Sequence, residues 1–485
     1  MWWWMMGCAT GDGDAAGGAD DTETGVETGD DDDDGDDDSV PDPDTGTSTG
    51  TSTGTTIDHG TGPDADGDTF GDDVDCDDSD ATMYPGAPDV CGDDRVTDCR
   101  RSSDDGLITV DGGATFTALA DALAAASTGS VVLVCPGLYL GPSAATVALT
   151  VASHGGRDLT TLDGDGAGPT LSVQGGSTIT GLTITGGRAS SGGGVQLASP
   201  GSLSVLDCEI RGNTAEVAGG GLYAADAAVD LTGTVVRDNA TGAMGGGVAL
   251  DGGSLTGGEL LYNVGSPYQS MGGGGGLHVT GLSTITGTRV ASNTAEDGGG
   301  ISVDGWYTVT EVSLVDVIVE DNVAGYGGGL WVRVASVSLD GTTEIRGNDA
   351  VSEGGGANLD DGASMAGGAI TDNHAYDGGG IKVANGTLAG TTVSGNTADG
   401  SAGGVLPSGD VTLDGVVIVS NAAPEGGGLG SPNPWGQVDV SGGAILSNHA
   451  DNSGGGVYAR SDLTLDGVEL SDNTADWGGG MLVAS

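Results

Sequence analysis

Residues 454–473, GGGVYARSDLTLDGVELSDN, decide the fold. Apolar and polar residues alternate along this stretch with a period of two, which is typical of β-strands, and no part of it has the 3.6-residue period of a helix. The glycine run, the Asp-Gly pair and the asparagine mark turns between three short strands. The stretch therefore predicts one rung of a β-solenoid.

The same pattern recurs from residue 192 onward at steps of 23 to 29 residues. A period in this range indicates an array of stacked units. The glycine runs begin at Gly192, Gly219, Gly245, Gly272, Gly298, Gly327, Gly354, Gly378, Gly403, Gly426, Gly454 and Gly478. The asparagines that precede them are Asn213, Asn239, Asn263, Asn293, Asn322, Asn348, Asn373, Asn396, Asn421, Asn448 and Asn473.

These repeats predict an all-β protein, a parallel β-helix of about 12–15 rungs. Glycine permits positive φ and close backbone approach at the turns. Asparagine tolerates the left-handed conformation, and stacked amides can hydrogen-bond along the solenoid, so we expect a structural role for these residues. Apolar residues at 116, 119, 120 and 123 predict a short amphipathic helix that caps the first rung.

The order of elements in 107–184 resembles the opening of pectate-lyase-like right-handed β-helices. It runs from LITV at 107–110 through the predicted helix to strands in 131–137, 159–164 and 177–184. The later Asn…Gly-Gly-Gly rungs resemble the repeats of polymorphic outer membrane proteins. The resemblance implies a right-handed parallel β-helix over 106–485. This fold includes polysaccharide lyases and hydrolases as well as adhesins, so it does not decide the activity.

The first 63 residues have a different composition. Residues 1–8, MWWWMMGC, resemble the end of a bacterial lipoprotein signal, which implies acylation of Cys8; the other interpretation is a start codon placed too far downstream. Residues 9–63 are rich in Asp, Gly and Thr and cannot bury enough apolar surface to fold. They predict a disordered acidic tether, although a solubility tail has the same composition.

Residues 64–76, DADGDTFGDDVDC, predict a Ca²⁺ loop. Acids at relative positions 1, 3, 5, 9 and 12, with a backbone carbonyl at position 7, supply oxygen ligands for a hard cation. The predicted ligands are Asp64, Asp66, Asp68, Phe70 through its carbonyl, Asp72 and Asp75, with Asp77, Asp78 and Asp80 for a second ion. Thr69 occupies the sixth position, where such loops normally have glycine. The alternative is an acidic loop that binds no metal at physiological Ca²⁺.

Residues 64–105 form an Asp- and Cys-rich segment. The stretch DCDD at 75–78, YPGA at 84–87 and the cysteines at 91 and 99 resemble the first half of a metal-binding repeat of bacterial surface proteins. Six cysteines in a secreted chain suggest pairing. We expect a disulfide bridge between Cys91 and Cys99, which leaves Cys76 without a partner within this segment.

The charge of the chain excludes several classes of partner. Twelve Lys and Arg against 71 Asp and Glu give a net charge of −59, and Lys382 is the one lysine. Nucleic acids and anionic membranes need clustered basic residues, so we expect no nucleic-acid partner and membrane attachment only through a lipid anchor. Cations, above all Ca²⁺, become the expected partners. The expected location is extracellular or the outer-membrane surface of a bacterium.

Outward positions on the strand after each glycine run suggest a ligand surface. If the neighbouring aliphatic residues point inward, five residues share the outward face: Tyr223, His278, Trp331, Lys382 and Tyr458. Aromatic rings beside a lysine can stack on sugars, although ordinary exposed strand residues give the same pattern. We expect Trp331→Ala and Tyr223→Ala to leave folding intact.

The sequence favours a non-catalytic scaffold or adhesin that binds an extracellular polysaccharide or a cell-surface partner. The five histidines have no Ser or Cys partner in a nucleophile motif, and paired carboxylates on neighbouring rungs are not evident. The alternative is a pectate-lyase-like polysaccharide lyase or hydrolase. The chain stops at Met481–Ser485 one strand into a rung, which predicts either a fragment of a longer protein or an end that pairs with another molecule. We expect the fragment, and we expect its open end to self-associate.

Overall fold

The structure is a computed structural model that describes residues 59–85, 87, 107–267 and 273–484. It confirms the predicted all-β parallel β-helix. One helix, Leu119–Ala125, accompanies the strands of the described part. The expected acylation of Cys8 and the tether up to residue 58 lie outside the described residues.

Sheet 1 contains 27 strands, and from Ser143 to Asp466 each rung contributes to it either two strands or one long strand. Its first strand, Ile108–Val110, pairs antiparallel with the second, Ala114–Phe116, and with the third, and the pairs between later strands are parallel. The others are Val131–Val134, Ser143–Ala144, Thr150–Ser153, Leu171–Val173, Ser177–Thr180, Val195–Leu197, Gly201–Leu206, Leu222–Asp230, Val248–Thr256, Leu277–Thr286, Ile301–Asp304, Glu311–Val315, Leu330–Arg333, Ser336–Leu339, Ala357–Asp360, Ser364–Ala366, Ile381–Ala384, Thr387–Ala389, Val405–Ser408, Val411–Asp414, Leu429–Ser431, Gln437–Ser441, Val457–Ala459, Asp462–Asp466 and Met481–Val483.

Sheet 2 contains 14 parallel strands, one in each rung, and this number agrees with the predicted 12–15 rungs. They are Gly137–Leu140, Thr160–Asp163, Thr183–Thr185, Glu209–Arg211, Val235–Arg237, Glu259–Leu261, Arg289–Ala291, Ile318–Glu320, Glu344–Arg346, Ala369–Thr371, Thr392–Ser394, Val417–Val419, Ala444–Leu446 and Glu469–Ser471.

Sheet 3 forms two groups, of three and eight strands, and every strand except the first begins directly after an asparagine of the repeat. The three are Arg188–Ser191, Thr214–Ala218 and Ala240–Thr241. The eight are Thr294–Asp297, Val323–Tyr326, Asp349–Glu353, His374–Asp377, Thr397–Ala398, Ala422–Glu425, His449–Ser453 and Thr474–Trp477.

The core consists of ladders of aliphatic side chains, because matched positions of successive rungs pair in register. One ladder in sheet 1 is fully buried: Leu171, Val195, Leu222, Val248, Leu277, Ile301, Leu330, Ala357, Ile381, Val405, Leu429 and Val457. The helix adds Leu119, Ala122 and Leu123 to the same core and covers the first rungs as predicted. It begins at residue 119, however, because Phe116 ends a strand, and Ala120 is exposed.

The asparagines form a continuous internal ladder, which agrees with the predicted structural role. All eleven lie inside the solenoid, and each side-chain Nδ2 from Asn213 to Asn448 donates to Oδ1 of the asparagine one rung later, at 2.9–3.1 Å. Their backbones are not left-handed. The positive φ falls on the residue before each asparagine, such as Asp321 at 55° or Gly347 at 62°.

Candidate functional site

The aspartate loop concentrates carboxylates around two buried oxygens. Asp66 Oδ2 and Asp68 Oδ2 are shielded from solvent and have no hydrogen-bond donor among the described residues. Their Oδ1 atoms accept backbone N–H bonds, from Asp68 at 3.2 Å and from Phe70 at 2.9 Å. Partial burial, and then the charges of Asp68, Asp75 and Asp64, raise the pKa of Asp66. A buried anionic oxygen without a donor is costly unless a cation balances it.

Two groups of three carboxylates share Asp66. In each group the oxygens lie within 4.8 Å of one another: Asp64, Asp66 and Asp78 form one, and Asp66, Asp68 and Asp75 the other. Ca²⁺–oxygen distances of about 2.3–2.6 Å place two ligands of one ion within about 5 Å, so either group fits one ion. The loop path brings Asp78 to Asp64, and Asp78 Oδ1 accepts the Ala65 N–H at 3.0 Å.

Other acids predicted as ligands lie outside these two groups. Asp72 is exposed. Asp77 Oδ1 accepts the hydroxyl of Ser79 at 2.5 Å, and Asp80 Oδ1 accepts that of Thr82 at 2.6 Å, so each caps its own turn. The role of the Phe70 carbonyl stays a prediction.

Local packing shapes the loop. Thr69, where such loops have glycine, adopts φ 84°, so a threonine takes the left-handed conformation that favours glycine. The Phe70 ring is buried and stacks between His59 and Tyr84, with centroid distances of 4.7 and 5.2 Å. Asp73, which the spacing did not single out, accepts the backbone N–H groups of Thr61 and Gly62, and these hydrogen bonds lower the pKa of its carboxyl group. The ordered loop therefore reaches back to residue 59.

The cysteines differ from the expectation. Cys76 and Cys135 are each disulfide-bonded, so Cys76 is not left over. Cys208 is the free cysteine of the described part; burial raises the pKa of its thiol to about 12, which makes it unreactive. The expected Cys91–Cys99 bridge lies outside the described residues.

The outward residues of sheet 1 line up along one ladder, which we call the groove ladder. Successive rungs place Tyr223, Ala249, His278, Ser302, Trp331, Asn358, Lys382 and Leu406 opposite one another. Tyr458 continues the ladder farther along, opposite Gly430. The five residues predicted from strand alternation therefore share one face.

Much of this face is covered, which corrects the expectation that it is exposed. Trp331 and His278 are each 4% exposed. Trp331 Nε1 donates to Asp360 at 3.0 Å, and the Lys382 ammonium lies 2.7 Å from Glu353 and 3.2 Å from Asp360. Truncating a buried tryptophan to alanine costs about 3–5 kcal/mol, so Trp331→Ala would not leave folding intact.

A cavity of about 460 Å³ opens over the first part of the groove ladder. Tyr223 and His278 line it together with Asp251, Arg333 and two residues that the sequence analysis missed, Trp306 and Tyr307. These two belong to an insertion between Ile301–Asp304 and Glu311–Val315, and they are 54% and 90% exposed.

One side of the cavity is held in place by ionic and cation–π contacts. Arg333 Nη2 lies 2.6 Å from Asp304 Oδ2, and the guanidinium carbon lies 5.2 Å from the Trp306 ring centre and 5.0 Å from that of Trp331. The insertion is therefore anchored to the next rung through Arg333. The exposed aromatic surface is fixed next to polar groups, as sugar-binding or small-molecule sites require.

The fold and these two sites define a parallel β-solenoid with an aspartate loop and an aromatic groove cavity. Comparison of the chain with known protein families, with characterised proteins and with solved structures gave no match. The described residues contain no helix that is long and apolar enough to cross a membrane. The function is therefore argued from the two sites themselves.

Proposed function

We propose that this protein is a secreted or cell-surface β-helix scaffold of bacterial origin that binds a glycan in the groove cavity. The cavity with its exposed Trp306 and Tyr307 carries the proposal. Solvent-exposed aromatic rings that are held rigidly offer flat apolar faces for sugar rings at a low entropic cost. The polar neighbours Asp251 and Thr280 supply acceptors and donors for hydroxyl groups.

The disulfide-bonded cysteines support an oxidising location. Disulfides persist outside the cytoplasm and are rare inside it. Cys76 and Cys135 are each bonded, one next to the aspartate loop and one at the end of the strand Val131–Val134. A Ca²⁺ ion in the aspartate loop is part of the same proposal, with a structural role.

No specific observation favours the lyase alternative. A lyase needs a free base beside metal-binding carboxylates. Within the described groove, Arg333 is paired with Asp304, and Lys382 is paired with Glu353 and Asp360. Burial of Lys382 acts to lower the pKa of its ammonium group, but the charges and hydrogen bonds of Asp360 and Glu353 outweigh this effect and raise it, so Lys382 is not a free base.

The direct test is a glycan array probed with the full chain, with and without Ca²⁺. A parallel assay for unsaturated products on acidic polysaccharides separates binding from catalysis. Array binding without turnover supports a binding scaffold. Turnover on any acidic polysaccharide would assign the protein to the lyases. If no glycan of the array binds, the proposed glycan-binding function is refuted.

Trp306→Ala is expected to weaken binding of an array-selected glycan at least tenfold, because exposed aromatic anchors carry much of the energy of such sites. Affinity is measured by calorimetry. Trp435→Ala is the matched control, since Trp435 is also an exposed tryptophan, 77% accessible, in an insertion at the same position of a later rung. Equal losses in both variants would show that the cavity is not the site.

Asp66→Asn is expected to reduce Ca²⁺ affinity at least tenfold, because Asp66 belongs to both carboxylate groups. Calorimetric titration of the full chain measures this. Asp72→Asn is the control: the linear spacing made Asp72 a ligand, whereas the folded loop leaves it outside both groups. Absence of a Ca²⁺ signal at millimolar metal would refute the site. A larger loss of Ca²⁺ affinity with Asp72→Asn than with Asp66→Asn would support the ligand set predicted from the sequence spacing.

A further inference from the structure

The groove cavity carries an uncompensated negative charge. The Arg333 guanidinium and the Asp304 carboxylate face each other through two contacts, Nη2–Oδ2 at 2.6 Å and Nε–Oδ1 at 3.3 Å, and cancel. Asp251 is exposed, accepts a hydrogen bond from the Thr280 hydroxyl and has no cationic partner in the described part of the chain. The lining as a whole is therefore anionic.

The aromatic rings of the cavity also favour a cationic ligand. The face of an aromatic ring attracts a cation, most strongly for tryptophan. Arg333 already shows the effect, because its guanidinium sits over both Trp306 and Trp331. The surroundings of Tyr223 are negative too: partial burial, and then the charges of Asp251 and Asp226, raise its pKa. With a chain charge of −59, the long-range field has the same sign.

We infer that the groove cavity selects sugars that carry a free, protonated amino group. This inference rests on the proposed glycan-binding function and names the class of glycan. The pyranose ring packs on Trp306 or Tyr307, and the ammonium group pairs with Asp251 near the ring of Tyr223. Acidic sugars are repelled by Asp251, because no unpaired cation of the described cavity can receive their carboxylates.

The test compares two tetrasaccharides of equal length, one of glucosamine and one of N-acetylglucosamine, by calorimetry with the full chain near neutral pH. The glucosamine tetramer is expected to bind about tenfold more tightly, as one partly desolvated cation contact implies. Raising the salt from about 0.05 to about 1 M should remove most of this difference, because exposed charges are screened. The N-acetylated tetramer, which has no charge, should be almost unaffected.

Asp251→Asn keeps the shape of the side chain and its hydrogen bond from Thr280 but removes the charge. We expect it to reduce the preference for the amine to less than about threefold, because it weakens binding of the glucosamine tetramer more than binding of the N-acetylated tetramer. Asp462→Asn is the matched control, since Asp462 is exposed in a distant rung and the net charge changes equally. Equal effects of the two variants would overturn the role of Asp251.

Each further outcome has a defined meaning. Equal or tighter binding of the N-acetylated tetramer would overturn the inference but leave a glycan-binding protein. Binding of choline as tightly as the glucosamine tetramer would show that the cavity recognises a cation without a sugar, and would overturn it as well. If no glycan of the array and neither tetramer binds, the proposed function fails together with the inference.

Discussion

Gly355→Ala is expected to lower the free energy of unfolding by more than about 4 kcal/mol. A Cβ atom at this position would lie 2.2 Å from the carbonyl oxygen of His374 and 2.4 Å from that of Gly379. Both are backbone atoms of the next rung, held by parallel hydrogen bonds, so relief of the clash requires two rungs to separate. Urea unfolding followed by circular dichroism measures the change.

Gly341→Ala is the matched control for this prediction. A Cβ there meets no atom within 4 Å, and its φ is outside the left-handed region, so we expect a change within about 0.5 kcal/mol. Unfolding of both variants at the same urea concentration would contradict the close rung contact that the structure shows at Gly355.

The recurring asparagine and glycine run could be predicted as structural because they act on each other. The last glycine of each run before Gly478 lies against the next asparagine along the chain: a Cβ on Gly329 would be 2.8 Å from Asn348 Nδ2, and a Cβ on Gly356 would be 2.7 Å from Asn373 Nδ2. Any side chain there would push the amide out of its ladder. The glycine run and the asparagine recur together in the sequence because they contact each other in successive rungs. This is why their spacing predicts the fold.

The burial of the groove ladder could not be predicted in the same way. Strand alternation correctly places Trp331 on the outward side of its strand. It does not show that the glycine turns fold back over this side: a Cβ on Gly298 or Gly327 would lie 3.1 or 3.2 Å from the Trp331 Cβ. A side chain that points outward from its strand is therefore not always exposed to solvent, because the glycine turns of this solenoid lie so close to it.

The two candidate sites differ from their predictions for a related reason. Spacing along the chain counted Asp72 as a ligand and Asp78 as part of a second site, whereas the turn after residue 71 brings Asp78 next to Asp64 and Asp66. The aromatic pair Trp306 and Tyr307 lies in an insertion that interrupts the repeat. The sequence did contain a signal for this aromatic pair, because an insertion between two strands of one rung must project from the solenoid.

Asn348→Ala is expected to lower the free energy of unfolding by about 2–5 kcal/mol, because it leaves buried backbone groups without partners. Asn348 Nδ2 donates to the carbonyl of Val319 at 2.9 Å and to Asn373 Oδ1 at 3.0 Å. Its Oδ1 accepts the backbone N–H of Asn322 at 3.0 Å and the Nδ2 of the same residue at 2.9 Å. Alanine removes all four bonds, so the Val319 carbonyl and the N–H groups of Asn322 lose these partners.

Asn452→Ala provides the control for this loss, since Asn452 is exposed on a strand of sheet 3 and takes no part in the ladder. Both variants are compared by urea unfolding, and amide hydrogen exchange reports whether the damage spreads. In a solenoid each rung contacts mainly its neighbours, so lost protection should centre on the rungs before and after Asn348 and fade along the rod. Equal stabilities of the two variants would mean that the amide ladder contributes alignment but little energy. Uniform loss of protection along the whole chain would mean that the ladder acts as a single cooperative unit, contrary to the nearest-neighbour expectation.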